Sequence, residues 1–404
     1  MSLIYLVFIA LTVYYSFRYD GIEEQDTGKR HRLWLMCAFL VLLSGFSYGL
    51  GADKFVYMYE FEEYPDDFSN IPDYIEFNIM LRGEMPLWTI VNSVCKIVFD
   101  SFYAVQLLES LAINVTVCYL VTQYTHRYFL FLLVYFLTLQ FFVFNTEVMR
   151  EGFSLAFVLL GMHGWMTGRK WLYFVTLPIG ILFHISTVTV LLFPFAKVKL
   201  SWKTLIIATL VTFLIWLFSD VIFGKIVNLI FGGEGAFTQK LMFYAFQATP
   251  IFGYLRAVLT YLVFPFIMMY TLLLMETDED MRRRKEKIMS FMVWLAILAS
   301  SFAGFSRFYN YVQIFYLISL ADFLYVLFSF KKHFVIRLGT VAGIFLINMM
   351  LYFAHYQSTD TYFYEFFYPY TCIADEDADV AYRPIAHAEA TTVIADEKNT
   401  RNIE

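Results

Sequence analysis

RKWLYFVTLPIGILFHISTVTVLLFPFAKVK, residues 169–199, holds 26 consecutive residues without Lys, Arg, Asp or Glu, flanked by Arg169 and Lys170 before and Lys197 and Lys199 after. One straight α-helix of that length would run about 39 Å, beyond the roughly 30 Å of a bilayer's hydrocarbon core. It would also leave a basic end on each side, against the tendency of Lys and Arg to stay cytoplasmic. Two half-depth helices meeting near Phe183–His184 return both ends to one side, with Pro178 and Gly180 loosening the first half. The stretch therefore predicts a half-depth hairpin.

Apolar runs recur around it, at 3–17, 33–50, 102–121, 128–144, 153–167, 205–218, 251–275, 288–304, 311–330 and 338–354. Runs this long and this poor in charge read as membrane spans. Together they predict an all-α polytopic membrane protein of about 11–12 membrane segments. The first run has no basic residue before it and no small-residue cleavage site, so it is expected to be a retained span. The run at 86–99 is shorter and carries Lys96, which suits a re-entrant or interfacial helix.

Assigning 18–32, 123–127, 168–170, 196–203, 276–287 and 331–337 to the cytoplasm gathers 18 of the 29 Lys and Arg residues there and puts the N-terminus outside. The polytopic domain is expected to cover 1–355. Its outer segment 51–100 holds ten acids against three bases. The segment 219–249 alternates apolar and polar residues around Gly232, Gly233 and Gly235, as two amphipathic helices along the interface would. The tail, 356–404, is aromatic at first (YFYEFFYPY) and then acidic, and its last 30 or so residues are expected to be disordered.

Composition excludes other classes. Of 404 residues, 60% are hydrophobic and 16% charged, where a soluble domain carries about 45–50% and about 25%. A soluble enzyme, a nucleic-acid binder and a disulfide scaffold are set aside. Cys37, Cys95, Cys118 and Cys372 have no paired spacing, so no metal site is expected. There is no phosphate-cradling Gly-Lys-Ser/Thr loop, HExxH helix or serine elbow, and no internal repeat of the kind that builds many transporters.

Ionisable groups at membrane depth are functional candidates by default. On this topology Asp53, Glu84, Arg150, His184, Arg256 and Arg307 fall at the outer ends of spans or in outer loops, with Tyr309 and Tyr311 beside the last. Arg150, in FNTEVMREGFSL, suits an anionic phosphate, although Glu147 three residues before it offers local pairing. Arg307 has no acid within a helical turn. Arg256 stands at a span entrance, where snorkelling is the competing role. His184 either bonds a neighbouring helix or, at the hairpin turn, can titrate or orient a hydroxyl. Glu60, Glu62, Glu63, Asp66 and Asp67 read as a solvated face. Glu109 and Asp322 lie within spans, where hydrogen bonding between helices is the expected role.

At these residues the sequence resembles the EpsG-like family of bacterial membrane proteins, related in kind to Wzy-type polysaccharide polymerases. The matching elements are Gly51–Ala52–Asp53 with Tyr57 and Tyr59, a Glu-Pro-type motif (Glu84–Met85–Pro86) before an amphipathic helix, Arg150 opening a mid-chain span, His184 and Ser186 thirty-four residues on, and Arg307 among aromatics. The sequence departs from the pattern in the Met between Glu84 and Pro86 and in Glu151, where Gln is expected after Arg. The resemblance covers about residues 1–355. It implies a GT-C-like helical fold and glycan polymerisation at the outer leaflet of the bacterial inner membrane. The substrate would be an undecaprenyl-diphosphate-linked oligosaccharide of exopolysaccharide, capsule or O-antigen, with a chain-length regulator as a partner and no cofactor. Arg150, Arg307 and Arg256 would bind the diphosphate, His184, Asp53 and Glu84 would act on the acceptor hydroxyl, and Tyr309, Tyr311 and Ser186 would contact substrate. An O-antigen ligase or other lipid-linked-sugar transferase, a membrane O-acyltransferase, and a non-enzymatic flippase are the alternatives.

Overall fold

The computed structural model describes residues 2–22, 26–51, 53–218, 250–329 and 361–375, with residues 339, 343 and 355–356. The expected segments 219–249 and 338–354, the loop 331–337 and the acidic end of the tail lie outside these residues, apart from the two single positions. The described chain is helical almost throughout, which satisfies backbone polar groups within each segment, as a membrane requires. The exceptions include a two-residue antiparallel pairing of His355–Tyr356 with Thr361–Tyr362.

The helices are α1 (Leu3–Tyr19), α2 (Thr27–Gly45), α3 (Asp53–Phe61), α4 (Ile71–Phe77), α5 (Pro86–Phe99), α6 (Phe102–Tyr124), α7 (Tyr128–Leu137), α8 (Gln140–Glu147), α9 (Met149–Met166), α10 (Lys170–Phe183), α11 (Trp202–Leu217), α12 (Ile251–Met275), α13 (Glu279–Ser301) and α14 (Asn310–Ser329). Phe102–Tyr124, Ile251–Met275 and Phe305–Ser329 are long and apolar enough to cross a bilayer. Several of the rest are shorter apolar helices. Local chemistry sets their starts. Asp26 caps α2 by accepting from Gly28 N at 2.8 Å. Asp278 caps α13 by accepting from Asp280 N at 2.8 Å, with Glu279 and Asp280 in the first turn. Pro86 opens α5, where its missing N–H costs nothing.

The hairpin forms where the sequence places it. α10 ends at His184, whose backbone is extended (φ −151°, ψ 124°), and a 3-10 segment, Ile185–Phe195, runs back along it. Tyr173 OH donates to Val190 O at 2.7 Å, tying the start of one half to the far part of the other. α10 also packs tightly on α9, because a Cβ at Gly161 would collide with Thr176 Oγ1.

The run 128–144 departs from expectation. It is not one straight span but α7 and α8 at 78° to one another, broken at Leu139, which adopts a left-handed φ of 61°. α8 ends in a π-helical turn, Val143–Glu147, that leads directly into α9.

Among the described residues, segments assigned to the cytoplasm meet one another at the ends of their helices. Lys29 Nζ donates to His126 O at 2.5 Å, Arg127 bonds Asp20 O, and Thr125 bonds Asp322. Lys287 Nζ donates to Pro194 O and Ala196 O, both at 2.8 Å. The start of α1 and the end of α2 meet the aromatic tail. Gly51 N donates to Phe366 O at 2.8 Å, Tyr48 N to Thr371 O at 2.9 Å, and Tyr5 OH to Phe367 O at 2.9 Å. Phe366 and Phe367 are buried in the main core.

Candidate functional site

The site grows from the first turn of α9. Consecutive residues on a helix project about 100° apart, so Arg150 and Glu151 face different neighbours. Arg150 Nη1 lies 2.8 Å from Glu84 Oε1, and its guanidinium sits 5.2 Å from the centre of the Tyr57 ring. Tyr64 OH donates to the other Glu84 oxygen at 3.1 Å. Glu84, brought by the turn before α5, is thus the buried partner of Arg150. Glu147, the local partner suggested by spacing, instead accepts from Asp53 N at 3.3 Å.

Tyr57 is where these groups meet. It is buried on α3, and Arg150, Asp53 and Arg307 all act electrostatically on its hydroxyl. Burial, the largest cause, pushes that hydroxyl up to about 12. One turn along α3, Glu60 corrects a sequence expectation. Glu62 and Glu63 do form a solvated face, pairing with Lys96 and Arg82. Glu60 is only half-exposed, and its Oε2 has no hydrogen-bond partner. Its carboxyl is held above the usual range, first by burial and then by the Glu84 charge, with Arg150 opposing.

On the other side of α9, Glu151 is buried and accepts from Asn310 Nδ2 at 3.1 Å, within reach of the Arg307 charge. Tyr311, one residue beyond Asn310, extends the network. Its OH lies 2.5 Å from Ser186 Oγ and 3.0 Å from Thr187 Oγ1. Ser186 Oγ lies 2.6 Å from His184 Nδ1. Thr187 bonds Ser154, one turn along α9 from Arg150 and Glu151. The hairpin break therefore ties half-exposed His184 to α14 and α9 through hydroxyls.

Asp53, Glu84, Arg150 and Arg307 thus meet around Tyr57, and His184, Ser186 and Tyr311 are tied to the same helix, α9, through Thr187 and Ser154. Two candidates stand apart. Tyr309 is buried, its ring 5.0 Å from that of Tyr261 and its OH without a hydrogen-bond partner, so it packs in the core instead of facing a ligand. Arg256 is exposed on α12 and acts on Tyr261, with no ion pair to the cluster among the described residues. Tyr311 is fully buried and reaches the site only through its hydroxyl.

A buried polar layer outside the candidate residues adjoins the cluster. Lys54 is fully buried and donates to Ser47 Oγ at 2.6 Å. Asn145 Oδ1 accepts from Asn114 Nδ2 at 2.7 Å and Ser44 Oγ at 3.0 Å, locking α8 to α6 and α2. Glu109 was expected to bond between helices. Both its carboxyl oxygens lack a hydrogen-bond partner, and it packs against Gly152, where a Cβ would collide with it. Asp322 does bond across helices, to Thr125. The readable signal was Gln106, Ser110 and Asn114 at four-residue spacing on an apolar helix. Among the described residues no group of three or more His, Cys, Asp or Glu could hold a metal ion.

A family model described as the EpsG family matches residues 33–372. The match continues past residue 355 through the docked aromatic segment. No curated protein and no solved structure matches the chain.

Proposed function

The chain belongs to the EpsG family, and on that premise we propose that it joins undecaprenyl-diphosphate-linked oligosaccharide repeat units at the outer face of the bacterial inner membrane, making exopolysaccharide, capsule or O-antigen. What supports the reading is that Arg150 and Arg307 both act on Tyr57, while His184 is tied to α9 one turn away through Ser186, Tyr311, Thr187 and Ser154.

The donor glycan is linked through its anomeric carbon to the lipid diphosphate. Attack by an acceptor sugar hydroxyl forms the glycosidic bond, breaks the bond to the diphosphate, and releases undecaprenyl diphosphate and a proton. Arg150 and Arg307 are the groups that stabilise charge developing on the leaving diphosphate, with the positive end of the α9 dipole beside them. Glu84 holds Arg150 in place. His184 takes the acceptor proton at Nε2, while its Nδ1 is fixed by Ser186. Asp53 borders the same space and orients the acceptor. The energy is already stored in the diphosphate ester, so no nucleotide is required. The expected architecture is GT-C-like, with the N-terminus outside, and a chain-length regulator is the expected partner.

The test is the glycan ladder of a deletion strain. Single repeat units on lipid or cell surface, restored to full chains by the wild-type gene, support polymerisation. Lipid-linked units trapped inside would make the protein a flippase. Full-length chains left on the carrier would make it a ligase.

A further inference from the structure

On the face opposite the arginine–histidine cluster, two adjoining clefts of about 460 Å³ and 380 Å³ share Arg283 and Lys287. The first lies between the end of α9 and the start of α13, lined by Trp165, Thr167 and Arg284. The second reaches Lys197 and Lys199 at the end of the hairpin. Together they present five cations against two acids, Asp280 and Glu286. Both acids are already engaged, Asp280 with Arg283 at 2.6 Å and Glu286 with Arg282 at 3.4 Å. The side chains of Arg284, Lys197 and Lys199 have no ion-pair partner among the described residues. This is a concave site with uncompensated positive charge.

We infer that the clefts bind the phosphate headgroup of an anionic phospholipid. The second cleft lies between the end of the hairpin and α13. The hairpin's outer surface supplies what acyl chains need: Trp171 and Phe174 are 65% and 64% exposed, and Phe174 lies 6.1 Å from the Trp165 ring that lines the first cleft. A headgroup seated on Arg284 and Lys287 can lay its tails along that apolar flank. A free phosphate has no use for the flank.

The experiment uses the purified full-length protein in micelles doped with phosphatidylglycerol or phosphatidylcholine, counting retained lipid by native mass spectrometry. The wild type is expected to retain phosphatidylglycerol over phosphatidylcholine. Each cation at an anionic headgroup is worth about fivefold in affinity, so Arg284→Gln with Lys199→Gln should weaken retention about 25-fold. Arg18→Gln with Arg30→Gln, cations of another segment assigned to the cytoplasm and away from the clefts, should change little. Equal retention of both lipids, or equal loss in the two double variants, would overturn the site. Displacement of phosphatidylglycerol by millimolar inorganic phosphate would overturn the lipid as its ligand.

Discussion

Arg150 and Glu84 form the joint on which the proposed leaving-group site depends, and a double-mutant cycle tests it. Their atoms lie 2.8 Å apart, with the Glu84 side chain 1% and the Arg150 side chain 25% exposed. Removing one partner of such a pair strands the other charge at a cost of about 3–5 kcal/mol. Glu84→Ala leaves Arg150 some solvent and the Tyr57 ring, which places it near about 3 kcal/mol. Arg150→Ala leaves a buried carboxylate with the Tyr64 hydroxyl, nearer about 4 kcal/mol. The double variant removes both charges and should cost little more than Arg150→Ala alone, a coupling energy of about 3 kcal/mol. Unfolding in a fixed detergent measures all three. In cells, Glu84→Gln, which keeps a hydrogen-bond acceptor, should retain more polymer than Glu84→Ala. Single costs that add within about 0.5 kcal/mol would refute the pairing and with it the positioning role of Glu84.

Other outcomes follow from the same geometry. His184→Ala should lower chain formation by about 10²–10⁴-fold if it moves the acceptor proton, measured as linkages formed per enzyme, and Tyr311→Phe should lower it less while costing about 1–2 kcal/mol of stability for the lost hydroxyl bonds. Gly152→Ala should cost about 1–3 kcal/mol or prevent folding, because the added methyl meets Glu109 and the Phe144 carbonyl; an unchanged melting temperature would contradict that packing. Glu60 binds its proton more tightly folded than unfolded, so its contribution to stability falls as pH rises from the ordinary glutamate value of about 4.5 through its raised folded value. Glu60→Gln should therefore flatten the pH profile of unfolding and stabilise the protein at neutral pH. Phe367→Ala should cost about 3–5 kcal/mol by undocking the tail from α1, visible as early proteolysis of the C-terminal segment.

Much of the topology was legible because charge marks both ends of apolar runs. The basic pairs around 171–196 gave the hairpin, and the break falls at His184 as the length of the run required. Other features had no local mark. The bend at Leu139 lies in an apolar run without Pro or Gly and depends on packing among Phe136, Phe141 and Phe142. Glu84 and Arg150 are 66 residues apart, and spacing favoured Glu147 because only near neighbours can be read from a helix period. Glu60 looks like its solvated neighbours until α3 turns it inward beside Tyr57. Tyr309 and Tyr311 differ by two residues on a helical turn, which is enough to send one into the aromatic core and the other to Ser186. The aromatic tail read as a separate segment because its partners, Tyr5 and the end of α2, lie more than 300 residues earlier.

The most direct test reconstitutes the purified protein in liposomes with undecaprenyl-diphosphate-linked repeat units and follows both chain length and released undecaprenyl diphosphate. The account predicts a ladder with one lipid diphosphate released per linkage, and loss of both signals in Arg150→Ala, Arg307→Ala and His184→Ala at matched folded protein. A ladder undiminished in those variants, or no linkage formed by the wild type, would contradict it.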